Sequence, residues 1–189
     1  RTCLVGSEMC IRDSNEAVNI TASGTANVAQ ATTIQGASNS GSATIESIED
    51  SAANLAASTN PVLTLGGTVT ASSAATAAQA NTIAGFEKPV VYSVSDTASA
   101  IAGANAGARN EAVNITATDA ATVAEATIIE AATNSGNNTY DITDSAANLA
   151  ASTNEVLTLG GTVTASSAAT AAQANTIAGF EKPVVYSVS

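Results

Sequence analysis

Histidine and tryptophan are missing from this 189-residue chain, lysine and arginine number five together, and aromatic residues make up only 3% of it. Without histidine, neither a Ser-His-Asp nor a Cys-His arrangement can be assembled, and the commonest general base is gone. Sixteen acidic residues against the five basic ones leave a net charge of −11. That balance removes the positive footprint needed for nucleic acid or an anionic membrane surface. Both cysteines, Cys3 and Cys10, fall in the first ten residues, so no zinc motif runs through the body of the chain. The uncharged run from Ser51 to Phe86 is threaded with Ser, Thr, Asn and Gln. It never reaches the roughly 18 consecutive apolar residues of a membrane span. The expectation is therefore a non-enzyme without nucleic-acid partner, cofactor or membrane insertion, and with no catalytic, cofactor-binding or metal-binding residues.

Small residues dominate what is present. Ala, Thr and Ser number 43, 26 and 21, whereas Leu, Ile, Val and Phe together reach 36. A broad Leu-rich core is excluded by that count; a thin one, packed with Ala and β-branched side chains, is not. Extended disorder is the alternative that low hydrophobicity leaves open, although it also wants a higher charge density.

Residues 1–14 stand apart, holding both cysteines, the one Met and two of the five basic residues. The run Cys3-Leu4-Val5-Gly6-Ser7-Glu8-Met9-Cys10-Ile11-Arg12-Asp13-Ser14 resembles the conceptual translation of a transposase adaptor used in sequencing-library preparation. It has no apolar region or small-residue cleavage site of a signal peptide. This leader is expected to be foreign to the natural protein, the alternative being a natural tail with a Cys3–Cys10 bridge.

From Asn15 onward the chain repeats itself. Ser51–Ser95 and Ser145–Ser189 differ at one position, Pro61 against Glu155, and the octapeptide Asn15–Ala22 recurs as Asn110–Ala117. The long repeat thus spans 15–109 and 110–189, the second copy shortened. A finer period lies inside it. Val28, Leu55, Ala77, Ile101, Val123, Leu149 and Ala171 recur at spacings of 22–27 residues, each in an Ala-rich stretch. Just before them sit short alternating segments: Val18–Thr21, Ile45–Glu49, Thr68–Thr70, Val91–Ser95, Val113–Thr116, Tyr140–Thr143 and Thr162–Thr164. Alternation with β-branched residues predicts strands, and Ala at three- and four-residue spacing predicts helices over 51–58, 74–86, 97–109 and 120–133.

Asp50, Asp96, Asp119 and Asp144 fall where strand gives way to helix, the place for an N-cap. Asn-Ser-Gly at 39–41 and 134–136, Gly66-Gly67, Gly160-Gly161 and the Lys-Pro pairs at 88–89 and 182–183 read as turns. Strands joined by helical crossovers must run parallel, with a right-handed connection. The fold class is therefore α/β, a parallel solenoid of about seven strand-helix coils. With strands about 4.8 Å apart it would be a rod of roughly 35 Å. An all-β solenoid is the alternative.

Several features carry a bland reading beside a sharper one. Asp141, Asp144 and the pair Glu49-Asp50 could contribute to a calcium site, but capping already occupies most of the Asp residues. Thr68-Val69-Thr70 and Thr162-Val163-Thr164 resemble the ranks of flat, Thr-lined ice-binding solenoids. The outward pairs Asn19/Thr21, Ser93/Ser95, Asn114/Thr116 and Asp141/Thr143 break that rank into a mixed polar face. Phe86 and Tyr92 around Pro89, like Phe180 and Tyr186 around Pro183, read as packing at a turn rather than a sugar-stacking patch. Glu87-Lys88 and Glu181-Lys182 read as solvated turn charges. Sequons at Asn19, Asn114 and Asn137 are expected by chance in a Thr-rich chain. A carboxylate pair for glycoside hydrolysis depends on distances in space that sequence does not give.

Asp-Ser-Ala-Ala-Asn-Leu-Ala-Ala at 50–57 and 144–151, with Thr-Val-Ala-Glu-Ala at 122–126, resembles the Ala/Thr-rich repeat regions of very large bacterial secreted or cell-surface, adhesin-like proteins. The resemblance covers Asn15–Ser189. It implies a non-catalytic spacer or stalk outside the cell, partnered by neighbouring repeats of one longer chain. The first copy runs on from Ser95 into Asp96-Thr97-Ala98 whereas its equivalent, Ser189, is the last residue, so an internal fragment of a longer array is expected. A binding surface for ice, glycan or calcium is the alternative.

Overall fold

The computed structural model describes residues 2–4 and 18–189. The expected leader thus falls on residues of which only Thr2–Leu4 are described, and Cys10 lies outside the described residues. Strands β1 (Thr2–Leu4), β2 (Ile20–Ala26), β3 (Ala43–Asp50) and β4 (Gly66–Ala71) form one sheet in chain order. A second sheet holds β5 (Val94–Asp96), β6 (Ile115–Ala121), β7 (Asn138–Asp144), β8 (Val163–Ala165) and β9 (Val184–Val185), again in chain order. Every pairing is parallel.

Helices fill the crossovers: α1 (Val28–Gln35), α2 (Ala52–Ala56), α3 (Asn60–Leu63), α4 (Ala77–Ile83), α5 (Ala98–Gly103), α6 (Ala106–Asn110), α7 (Val123–Glu130), α8 (Ala146–Ala151), α9 (Asn154–Leu159) and α10 (Ala171–Ile177). The fold is α/β, and the helical Ala-rich stretches set the all-β alternative aside. By contacts the chain divides into two units, Arg1–Ala75 with Gln79–Ser93, and Thr76–Ala78 with Val94–Ser189.

Within unit 1 the strands bury one face. Ile20, Ala22 and Ala26 of β2, Ile45 and Ile48 of β3, and Val69 of β4 are buried, as are Ala31, Ala52, Leu55 and Leu63 from the helices above them. Unit 2 repeats the scheme with Val94, Ile115, Tyr140, Ile142 and Val163 beneath Ala98, Ile101, Ala126, Ile129, Ala146 and Leu149. Register puts like over like: Ile48 pairs with Val69, and Ile142 with Val163. Each strand is too short to close a core alone, so the next coil completes it. Alanine on the helix side lets helix and sheet approach closely. Among the described residues no polar or charged residue is fully buried.

The helices are shorter than composition predicts. The stretch 97–109 splits into α5 and α6, with Ala104 extended between them. Arg109 holds that break: its guanidinium donates to the carbonyls of Ile101, Ala102 and Ala104, satisfying the end of α5. Gly66 and Gly67 form the start of β4 rather than a turn. There a Cβ on Gly67 would stand 2.6 Å from the Glu46 carbonyl of the adjacent strand, so the residue serves close strand approach. Register shifts interrupt β2–β3 between Ala22 and Thr25, and β6–β7 between Thr116 and Ala120. The first holds Gly24 at φ +91°, its N–H donating to the Glu46 carboxylate at 2.6 Å. At the repeat-equivalent position of the second shift stands Asp119.

Candidate functional site

The helix starts are where the chemistry-bearing side chains converge. A short helix leaves its first N–H groups without intrahelical partners, and Ser, Thr or Asn at the N-cap takes one of them. Ser51, Thr97 and Ser145 accept from Asn54, Ala100 and Asn148 in this way. Asn27, Thr122 and Thr170 go further, forming capping boxes with Gln30, Glu125 and Gln173.

The N1 amide is served differently, by a side chain from the following coil. Val28 N–H donates to Asp50 at 3.0 Å, and Ala52 N–H to the Ser73 hydroxyl at 3.1 Å. In unit 2, Ala77 donates to Asp96 at 3.0 Å, Ala98 to Asp119 at 2.7 Å, Val123 to Asp144 at 3.0 Å, and Ala146 to Ser167 at 3.1 Å. The sequence separations run from 19 to 22 residues, one coil each.

This corrects the reading of the four Asp residues as N-caps of the helices that follow them. Asp50, Asp96 and Asp144 lie one residue before the N-cap. One oxygen of each accepts from that N-cap amide, Ser51, Thr97 or Ser145, and the other reaches back to the preceding helix. Asp119 lies three residues before the N-cap Thr122, inside the register shift of β6, and its carboxylate serves α5. Asn54 and Asn148 add amide bonds to Asp50 and Asp144 at 2.8 and 2.7 Å.

Burial alone would raise the Asp50 and Asp144 carboxyls. Their side-chain and backbone hydrogen bonds outweigh it and hold both below the usual carboxylate range. Asp141, exposed on its strand, is lowered mainly by the Thr162 backbone and side chain, with a smaller pull from Lys182.

A second seam joins the opposite corners. Asn19 accepts from Ser42 N–H at 2.9 Å, Asn114 from Asn137 N–H at 3.0 Å, and Asp141 from Thr162 N–H at 2.7 Å. Asn39 and Asn134 donate to the carbonyls of Val18 and Val113. The Asn-Ser-Gly turns therefore dock on the preceding coil. Two of the three sequon asparagines, Asn19 and Asn114, have their side chains engaged in this way.

Of the residues considered for calcium, Asp141 and Asp144 each have a hydrogen-bonding task of their own. Asp144 faces helix amides, whereas Asp141 holds a turn, and no group of three or more metal-binding side chains lies together among the described residues. The polar strand face is mixed. Thr25 meets Ser47 at 2.8 Å, Ser47 aligns with Thr68, and Glu49 aligns with Thr70; in unit 2, Ser95 and Thr139 flank Thr116.

Tyr92 and Tyr140 are core residues, each 2% exposed, while Phe86, Phe180 and Tyr186 are half-buried. The Tyr140 hydroxyl donates to the Val156 carbonyl, and burial, then Glu130, pushes its phenol up. Lys88 donates to the Gly67 carbonyl, so it ties a turn to a strand rather than standing free.

No family model, curated protein or solved structure matches the chain. No described helix is long and apolar enough to cross a membrane.

Proposed function

We propose that this chain is a non-catalytic structural segment, a spacer or stalk, of a large extracellular or cell-surface protein, with neighbouring repeats of that longer chain as its partners. Its coils stack in series as the seven-coil solenoid that the repeat spacing predicts. One observation carries the reading: the carboxylates that sequence places at the strand-to-helix joints are spent on joining each coil to the next. Asp50, Asp96, Asp119 and Asp144 satisfy amides of adjacent helices, which gives them a structural task that recurs with the repeat. Near-identity of Ser51–Ser95 and Ser145–Ser189 supports it further, since a spacer needs length and uniformity rather than one unique site.

Recovering the complete open reading frame tests this. The proposal predicts further modules of the same pattern and an export signal. A short gene carrying a single capped module, or a cytoplasmic product, would contradict it.

A further inference from the structure

Between Ile101 and Ile115 the buried side chains are all alanine: Ala104, Ala108 and Ala112. The segment includes α6, whose backbone bonds from Arg109 N–H to Asn105 and from Glu111 N–H to Gly107 measure 3.3 and 2.9 Å. Opening it uncovers little apolar surface, so polar contacts decide how readily it opens ahead of global unfolding. The Arg109 guanidinium supplies most of them, donating to the carbonyls of Ala102 at 3.1 Å, Ile101 at 3.3 Å, and Ala104. The Asn110 side chain adds one, accepting from Thr133 N–H at 3.0 Å.

Arg109 is also the one basic residue among those described whose following peptide bond suits a protease that reads a basic side chain. Arg1 and Arg12 lie outside the described residues, and Lys88 and Lys182 precede Pro89 and Pro183. Proline removes the N–H of the bond to be cut and restricts the backbone before it, which such proteases do not accept. The bond after Arg109 falls between the two long copies, 15–109 and 110–189, and Asn110 and Glu111 beyond it are exposed.

We propose that the Arg109–Asn110 peptide bond is a latent processing site for an endoprotease with an acidic specificity pocket, held shut by the very guanidinium that the protease must read. One side chain cannot fill that pocket and cap α5 together, so cutting waits for the segment to open. Water then adds to the Arg109 carbonyl carbon, the C–N bond to Asn110 breaks, and the Asn110 nitrogen takes a proton and leaves as a free amine. The ladder of Val94–Asp96 on Ile115–Ala117 has one strand on each side of the cut and holds the nicked chain together. The site goes beyond the spacer reading and stands or falls without it, since it is read from the folded chain and not from the gene.

Limited trypsin digestion of the full-length chain, read by mass under denaturing conditions, tests it. Below the urea midpoint the wild type is expected to be cut after Arg109 and to stay intact after Lys88 and Lys182. The logarithm of the rate should rise with urea less steeply than global unfolding does, as a local opening requires. Glu111→Lys places a second readable bond in the segment, and adding Arg109→Met removes the donors while keeping a long stem. A lysine-specific protease is expected to cut after position 111 at least about tenfold faster in the double variant than in the single one. Equal melting temperatures make that comparison direct, and the wild-type urea slope decides if the variants melt early. Cutting after Arg109 only in step with global unfolding, or as fast in the native chain as in the unfolded one, would overturn the proposal. So would equal cutting after position 111 with and without the guanidinium.

Discussion

The carboxylate of Asp144 accepts the N–H of Val123, 21 residues earlier, at 3.0 Å, and thereby caps the first amide of a helix in the preceding coil. Its other oxygen accepts from Ser145 and Asn148 of its own coil. One side chain thus serves two helix starts. The same bridging by Asp50 and Asp96 gives successive coils a common dependence: removing one carboxylate leaves donors uncapped on both sides of a seam.

That dependence sets the cost of removal. Asp144→Ala is expected to destabilise unit 2 by about 1–3 kcal/mol, the range for orphaning partly buried donors. Asp50→Ala should do the same in unit 1. Denaturant melts of each variant check this, with unchanged m-values expected if the fold is otherwise kept. Substitution at exposed Glu155, which already stands where the first copy has Pro61, should change stability by less than about 0.5 kcal/mol.

Acid should weaken the protein through these same groups. The folded carboxyls of Asp50, Asp141 and Asp144 lie below the ordinary value of 3.8. The unfolded chain therefore takes up protons first as pH falls. Their stabilisation is complete well above 3.8 and is lost as pH drops through the lower folded values. A pH series of thermal melts should show a falling limb that starts near that value. Asp50→Asn with Asp144→Asn should be less stable at neutral pH and show a shallower limb.

Glycine substitutions should separate by position. At Gly136 a Cβ would fall against the Val113 carbonyl and the Asn114 side chain, whereas at Gly103, the last residue of α5, it would meet nothing within 4 Å. Gly136→Ala is expected to destabilise by about 1–3 kcal/mol through overpacking. Gly103→Ala is expected to be neutral or to stabilise by up to about 1 kcal/mol, since alanine is the better helix former. Paired thermal melts distinguish the two.

The helix layer should be sensitive to volume in both directions. Leu149 is fully buried, and so is Ala126 at the equivalent place on α7. Leu149→Ala should cost about 2–5 kcal/mol, and Ala126→Leu about 1–3 kcal/mol. Equilibrium unfolding measures both.

Much of the fold is legible in the sequence because its signals are local. Alternation in Ile45–Glu49 and Tyr140–Thr143 marks β3 and β7, and parallel pairing follows from the helical crossovers. The seams are legible only in part. A carboxylate at a strand-to-helix joint announces capping, but its second partner sits one coil away, and no local pattern tells that Asp119 serves Ala98. Short helices such as α3 and α9 escape notice because Thr and Asn interrupt the Ala signal. The Gly66-Gly67 pair reads as a turn because glycine's service to a close-packed neighbouring strand leaves the same trace as its service to a bend. Arg109's hold on α5 is equally nonlocal, so the break at Ala104 is invisible beforehand.

Hydrogen exchange at single-amide resolution, comparing the wild type with Asp144→Ala, addresses the central claim most directly. The account predicts that protection falls at Val123 and the first turn of α7 as well as at Ser145. Loss confined to Ser145 and α8, with Val123 as slow as in the wild type, would contradict it.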